Sequence, residues 1–443
     1  MDSKVFGSNY INYISSNKTE RECISNAIVK ARFNGFLTMK EIKAQNRSLQ
    51  IGDKVYFVNK DKNFAAFIIG NEFGNCGLNL LGAHVDSPRL DIKTNPLYEK
   101  QGVAYFDTQY YGGIKKYQWI TRPLAIHGKI CFTDGTALNI EIGEDQNDPI
   151  FCISDLLPHL DRNLSEKKAS DFISGEKLDL IVGCDPNSTE ENEQLKKNIL
   201  SIIREKYAEK FNEEDFCSAE LEVVPAGNAR WCGLDKTLIA GYGQDDRVCA
   251  YASLQALFDM KETPHRTCGC VLVDKEEVGS ICATGSESRW LEDVLYAVSG
   301  VHDRLEFATI LYDTNMLSSD VTAAFDPQYE DVANYEETSK LGKGFVLSKY
   351  NGGRGKSGGA DANPEYIAYI RNVMNTEKVP YQFDTMGKVD VGGGGTIASI
   401  VCRLNINVLD AGVPVLNMHS PMEIIHRDDV YAAYLGYSAF LKH

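Results

Sequence analysis

The stretch Asp274-Lys275-Glu276-Glu277-Val278-Gly279-Ser280 sets three acids directly behind the apolar run Cys270-Val271-Leu272-Val273. A short β-branched run of this kind predicts a strand buried on both faces. In open α/β sheets ligands bind at the carboxyl ends of strands. Two carboxylates at such an end suit metal ligation, proton transfer, or one of each. Taken alone, the Glu-Glu pair reads equally well as a solvated acidic turn. Adjacent strand residues also face opposite ways. For Glu276 and Glu277 to reach one site, the backbone must therefore leave strand geometry at this pair, with Gly279 just beyond.

Four other stretches offer partners. His84-Val85-Asp86 ends the buried run Gly77–Ala83, and a ligating histidine commonly has its ring held by a carboxylate, a role for which Asp86 is placed. A lone histidine at a strand end is more often structural. Gly243-Gln244-Asp245-Asp246-Arg247 precedes an amphipathic helix. Asp is a preferred N-cap, so one aspartate caps and the other is left to ligate. Ser318-Ser319-Asp320 reads in isolation as another cap. His419 ends the apolar run Val413–Met418, and Ser420-Pro421-Met422-Glu423 behind it has the form of a capping box opening a helix.

The elements that must carry these residues are legible in outline. A helix is expected to about Asn34, then a hairpin of Lys54–Val58 and Phe64–Ile69, then the strand into His84. Between about 95 and 235 short β-like pieces and turn clusters replace this rhythm, with one polar, solvated helix over Thr189–Lys210. That section reads as a second, β-rich domain inserted into the first, giving 1–94, 95–235 and 236–443. Beyond it come a helix from near Asp246, the strand into Asp274, a helix over Ser288–Val298, a strand over Phe307–Tyr312, a helix near Pro364–Asn375 and a last helix from about Asp429. Gly392–Gly395 is expected to open a helix in close backbone packing. No Gly-Lys-Ser/Thr follows it, which argues against a P-loop.

Composition narrows the class. The 443 residues are 43% hydrophobic and 24% charged, as in ordinary globular chains. A net charge of −16 argues against nucleic acid or an anionic membrane as partner. The start Met1-Asp2-Ser3-Lys4 lacks the basic and apolar regions of a leader, and no run approaches a membrane span. Twelve scattered cysteines fit free thiols in a reducing cytoplasm, the expected location.

Two histidines, a Glu-Glu pair and aspartates at the strand ends of one α/β scaffold suit a two-metal hydrolytic centre. In their order, Gly82-Ala83-His84-Val85-Asp86-Ser87-Pro88, Asp245-Asp246, Glu276-Glu277-Val278-Gly279-Ser280, Ser319-Asp320 and Met418-His419-Ser420 resemble the aspartyl aminopeptidase/aminopeptidase I family of dinuclear zinc peptidases. The resemblance extends to Tyr111-Gly112-Gly113, Trp119, Arg122 and Leu254–Leu257. It implies a mixed-sheet α/β zinc-peptidase catalytic domain of the phosphorylase/hydrolase-like kind, interrupted by a β-rich dimerisation domain. It also implies a homododecameric tetrahedral shell. Carried over motif by motif, Asp245 would bridge two divalent metals, His84 and Asp320 would complete one, and Glu277 and His419 the other. Glu276 would be the general base and Asp86 would orient His84. A histidine donated by a neighbouring subunit corresponds to His159. Zinc is the implied metal, and cobalt and manganese accept the same ligands.

One departure bears on specificity. Acid-selective members place two histidines three residues apart before a proline. Here Asp320-Val321-Thr322-Ala323-Ala324-Phe325-Asp326-Pro327 has Ala323 and Asp326 instead. For the basic residue that meets an acidic substrate side chain, Lys349 and Arg354 are the candidates, with Ser348 at the position itself. The expected activity is removal of N-terminal residues from peptides that have a free amine, with acidic preference open. The alternatives are a deblocking or glutamyl-type tetrahedral aminopeptidase, a metal-dependent amidase or deacylase, and a shell protein that kept the fold without catalysis.

Overall fold

The computed structural model describes residues 2–186 and 193–443. The chain forms two compact units. One comprises Met1–Ser87, Asn228–Met418 and Met422–His443, and the other Pro88–Gly227 with His419–Pro421.

Among its described residues, the first unit is built on a nine-stranded mixed sheet. The strand order is Leu37–Thr38, Lys54–Asn59, Asn63–Ile68, Cys268–Val273, Asn79–His84, Asn315–Ser318, Asn407–Gly412, Phe345–Ser348 and Tyr381–Asp384. Cys268–Val273, Asn79–His84, Asn315–Ser318 and Asn407–Gly412 run parallel in the middle. Every residue of the first two is buried, which is why they read as continuous apolar runs and not as alternating ones. Helices cover both faces. Phe6, Tyr10 and Tyr13 of the helix Ser3–Ser15, the helix Gln244–Phe258 and the helix Arg427–Lys442 pack into one core, and Leu291, Leu295, Phe307 and Ile310 into the other. A smaller five-stranded sheet belongs to the same unit and includes Leu238–Gly241, Pro414–Leu416 and Glu423–His426.

The second unit holds a six-stranded sheet whose long hairpin, Arg89–Lys100 with Val103–Tyr111, is antiparallel throughout. Its helix Gln194–Lys206 is not merely a solvated rod, because Leu195 and Leu200 are buried. Residues 189–192 of the helix expected there lie outside the described residues.

Three expectations fail locally. Phe307–Tyr312 is not a strand but the end of the helix Arg304–Tyr312, capped by Asp303, whose carboxylate accepts from Leu305 and Glu306 N–H. The strand comes later, at Asn315–Ser318. Ser420-Pro421-Met422-Glu423 opens no helix: Glu423 begins a strand, and the last helix starts at Arg427. The glycines 392–395 form an irregular loop, and the short helix behind them starts only at Ala398.

Candidate metal centre

The central parallel strands deliver the acids. Asn79–His84 ends in His84, which is 2% exposed. Next to it, Cys268–Val273 leads to Asp274, where the chain leaves strand geometry. Lys275 is left-handed (φ 70°), Glu276–Val278 make a single 3₁₀ turn, and Gly279 is left-handed again (φ 93°). This is the break that two adjacent glutamates need to serve one site. A lysine at positive φ is uncommon, and buried Asp274 holds it there. One Asp274 oxygen accepts from Lys275 N–H at 2.8 Å and the other from Thr284 Oγ1 at 2.7 Å. Lys62, itself 2.8 Å from Glu20, stands 3.7 Å from the same carboxylate. Burial, with the charges of Glu20 and Asp86, pushes Asp274 up to about 6.

On the other side Asn315–Ser318 runs into Ser319 and Asp320. The neighbouring chain must come very close here: a Cβ on Gly412 would lie 1.6 Å from the carbonyl oxygen of Asp320. From the helix side, Gly243 (φ 75°) is the N-cap of Gln244–Phe258, and Asp245 and Asp246 keep non-helical backbone angles inside its first turn. Neither aspartate caps the helix, so both carboxylates are available to the site.

These parts converge on His84. Its Nε2 is 3.1 Å from Asp245 Oδ1 and 3.9 Å from Asp320 Oδ1. His84, Asp246 and Asp320 each present a ligand atom within 4.8 Å of one another, and so do His84, Glu276 and Glu277. Asp246 is the member that sequence reasoning passed over, although the Asp-Asp doublet was its signal. The other ring nitrogen, Nδ1, lies 3.0 Å from the carbonyl oxygen of Asp86 and 3.5 Å from its carboxylate. A proton on Nδ1 donated to that carbonyl leaves Nε2 facing the acids as an acceptor. The Asp86 side chain has a further task, because its two oxygens accept the backbone N–H groups of Glu276 at 3.1 Å and Glu277 at 3.2 Å.

The electrostatics are those of a site built for added positive charge. Asp246 and Asp320 sit well above the ordinary carboxylate range. Burial is the first cause for both, and neighbouring carboxylates add to it. Burial also works against a charged His84 ring, but Asp245, Asp86 and Asp320 outweigh it and raise His84 well above the usual histidine value. Asp246 is fully buried with the weak Cys249 thiol and the His84 main chain beside its carboxylate, an arrangement costly unless a proton or a cation answers it. A histidine nitrogen with carboxylate oxygens at this spacing is a donor set that zinc accepts.

The other sequence candidates are carried by other segments. His419 falls in the second unit, with Nδ1 3.2 Å from the carbonyl oxygen of Gly113. His159 is exposed in the turn 158–160 of that unit. Lys349 is exposed just past the strand Phe345–Ser348, while Ser348 donates to buried Asp384. Asp326 caps the 3₁₀ turn Pro327–Val332, accepting from Gln328 N–H at 2.9 Å.

Known proteins resemble this chain along nearly its whole length. A sequence model of the aminopeptidase I zinc metalloprotease family (M18) matches residues 13–441. A relative from Clostridium acetobutylicum, described as a probable M18 family aminopeptidase 1, is 50% identical over 440 residues, covering 98% of this chain and 94% of its own. The crystal structure of an M18-family aminopeptidase from Thermotoga maritima superposes with a TM-score of 0.94 at 41% identity, over 99% of this chain and 96% of the other. The mApe1 dodecamer of S. cerevisiae, 19% identical, shares the fold with a TM-score of 0.79 over 99% of this chain and 96% of the other.

Proposed function

The chain belongs to the M18 family of aminopeptidase I zinc metalloproteases and is a metal-dependent aminopeptidase, and from that premise we propose how its residues divide the work. Two divalent ions, zinc in the first place, would be held by Asp245, shared between them, with His84 and Asp320 for one and Glu277 and His419 for the other. When bound, such a pair lowers the pKa of water and polarises a peptide carbonyl. Glu276, beside the ligand Glu277 on the 3₁₀ turn, takes a proton from the attacking water and returns it to the leaving amine. Asp86 acts through others, holding the His84 ring by its carbonyl and the Glu276–Glu277 backbone by its carboxylate. The observation that carries this division is the convergence of one histidine and five carboxylates from three parallel strand ends and one helix start.

The substrates are peptides with a free N-terminus. An acidic first residue is disfavoured, because Ala323 and Asp326 stand where acid-selective relatives are expected to carry histidines. Lys349 and His159, the latter from a neighbouring subunit, contribute to substrate binding. The β-rich unit serves dimerisation, and dimers build a tetrahedral dodecamer in the cytoplasm. The S. cerevisiae assembly of the same fold supports the dodecamer, and among the described residues no helix is long and apolar enough to cross a membrane.

The test is a scan of aminoacyl fluorogenic substrates by the full chain, stripped of metal and reloaded with zinc, cobalt or manganese, beside N-acetylated counterparts. Hydrolysis of the free-amine series with neutral first residues ahead of Asp and Glu is expected. Faster cleavage of the N-acetylated series would instead make it a deacylase or amidase.

A further inference from the structure

Glu423 has no place in the ligand set above, and the helix cap that its sequence suggests does not exist. It is 1% exposed and opens the strand Glu423–His426, where it pairs with Gly241 two residues ahead of the Gly243 turn. Its Oε2 lies 3.2 Å from the backbone nitrogen of Asp245. On the other side of the same residue, Ser87 Oγ donates to the Asp245 carbonyl oxygen at 2.6 Å. Asp245 is thus gripped through its main chain from two directions, by a carboxylate four residues beyond His419 and by a hydroxyl three residues beyond His84. The side chain before it is fixed as well: Gln244 Nε2 donates to Ile239 O at 3.2 Å, and its Oε1 accepts from the buried Tyr10 hydroxyl at 2.5 Å.

A grip of this kind matters because Asp245 and Asp246 sit in the first turn of a helix without helical backbone angles. The helix ladder alone does not hold their carboxylates in place. We propose that Glu423 and Ser87 are positioning residues that hold the main chain of Asp245, so that its carboxylate is presented where the metals would be held. This rests on the reading of Asp245 as the bridging ligand. Partners that orient metal ligands in this way typically change metal affinity by about 10–100-fold when removed.

The experiment measures zinc binding to the full chain by competition with a chromogenic chelator, with zinc stoichiometry by elemental analysis and thermal unfolding of the metal-free protein as controls. In Glu423→Ala at least one of the two zinc affinities should fall about tenfold or more. Glu423→Gln, which keeps an acceptor oxygen for the Asp245 N–H, should stay within about threefold of the parent. Ser87→Ala should weaken zinc in the same direction and serves should Glu423→Ala fail to fold. Two results would overturn the proposal: parental zinc affinity in both Glu423→Ala and Ser87→Ala, or an equal loss in Glu423→Gln and Glu423→Ala. Asp245→Asn, run in parallel, separates the two readings. Zinc loss there with none in the Glu423 and Ser87 variants sinks only the positioning role, whereas unchanged zinc in Asp245→Asn sinks the ligand assignment itself.

Discussion

Asp86 Oδ1 lies 3.1 Å from the backbone nitrogen of Glu276, a residue 190 positions further along the chain. With the matching contact from Glu277, one buried carboxylate sets the height of the whole 3₁₀ turn against the end of the neighbouring strand. The side chain expected to steady His84 is also the one that steadies the two glutamates.

Asp86→Ala removes the acceptor of two main-chain N–H groups at once. Each buried group left without a partner is destabilising by about 1–3 kcal/mol. The variant should unfold at lower temperature than the parent, and kcat should fall about 10–100-fold as the turn relaxes. Steady-state kinetics and a thermal melt check both. Parental kcat would show that the turn holds its shape without Asp86.

Glu276→Gln keeps size and shape and removes the ability to take a proton. Fold and zinc content should survive, while turnover drops by roughly 10²–10⁴-fold, the usual worth of general acid–base assistance. Elemental analysis and a fluorogenic aminoacyl assay on the same sample settle the matter, and activity near the parental level would remove Glu276 from the role.

His84→Ala and His419→Ala should each weaken zinc binding, and they should differ in the protein left behind. Without His84, the buried carboxylates of Asp245 and Asp320 lose the ring nearest to them. The His419 ring lies 3.2 Å from Gly113 O on a partly exposed turn, and its loss should be milder for the metal-free fold. The comparison is zinc stoichiometry together with metal-free melting temperature. Full zinc content in His419→Ala would break the proposed ligand set.

Asp410 supplies a pH test away from the metal ligands. It is buried and accepts from Asn351 Nδ2 at 2.7 Å and Thr396 Oγ1 at 2.8 Å, and burial pushes its pKa up to about 6 from an ordinary 3.8. The folded protein therefore holds the proton more tightly than the unfolded chain. Its contribution to stability is fully present below about pH 4 and is lost as pH rises through about 6. The shift corresponds to about 3 kcal/mol. Asp410→Asn should remove that part of the slope, so parent and variant should diverge between pH 4 and 7 in urea titrations. Parallel pH profiles would mean that Asp410 is ionised throughout.

The parts of the site that could be read from sequence are those where one strong physical preference acts alone. Gly77–Ala83 and Cys270–Val273 are buried on both faces and, apart from Asn79, carry only apolar residues or glycine, so the strands and the acids at their ends stood out. The turn at Glu276 could be anticipated because strand geometry forbids two adjacent side chains on one face. Phe307–Tyr312 misled because a β-branched, aromatic run also forms the buried face of a helix, and tertiary packing of Phe307, Ile310 and Leu311 decided for the helix. Ser420–Glu423 satisfied a capping pattern, but Glu423 is used in a strand and on Asp245. The carboxylate of Asp86 on a loop 190 residues away, and the hydroxyl of Ser87 on Asp245, are long-range hydrogen bonds. No local pattern encodes them.

The strand that carries His84 is hydrogen-bonded on one side to Cys268–Val273 and on the other to Asn315–Ser318. Both partners follow it in the chain and are made much later. At ordinary translation speeds the wait is on the order of tens of seconds. Throughout that interval His84 has neither Glu276 nor Asp320 beside it, and the centre does not exist. An aminopeptidase built this way is unarmed until the strand leading to Asp320 has been made and paired.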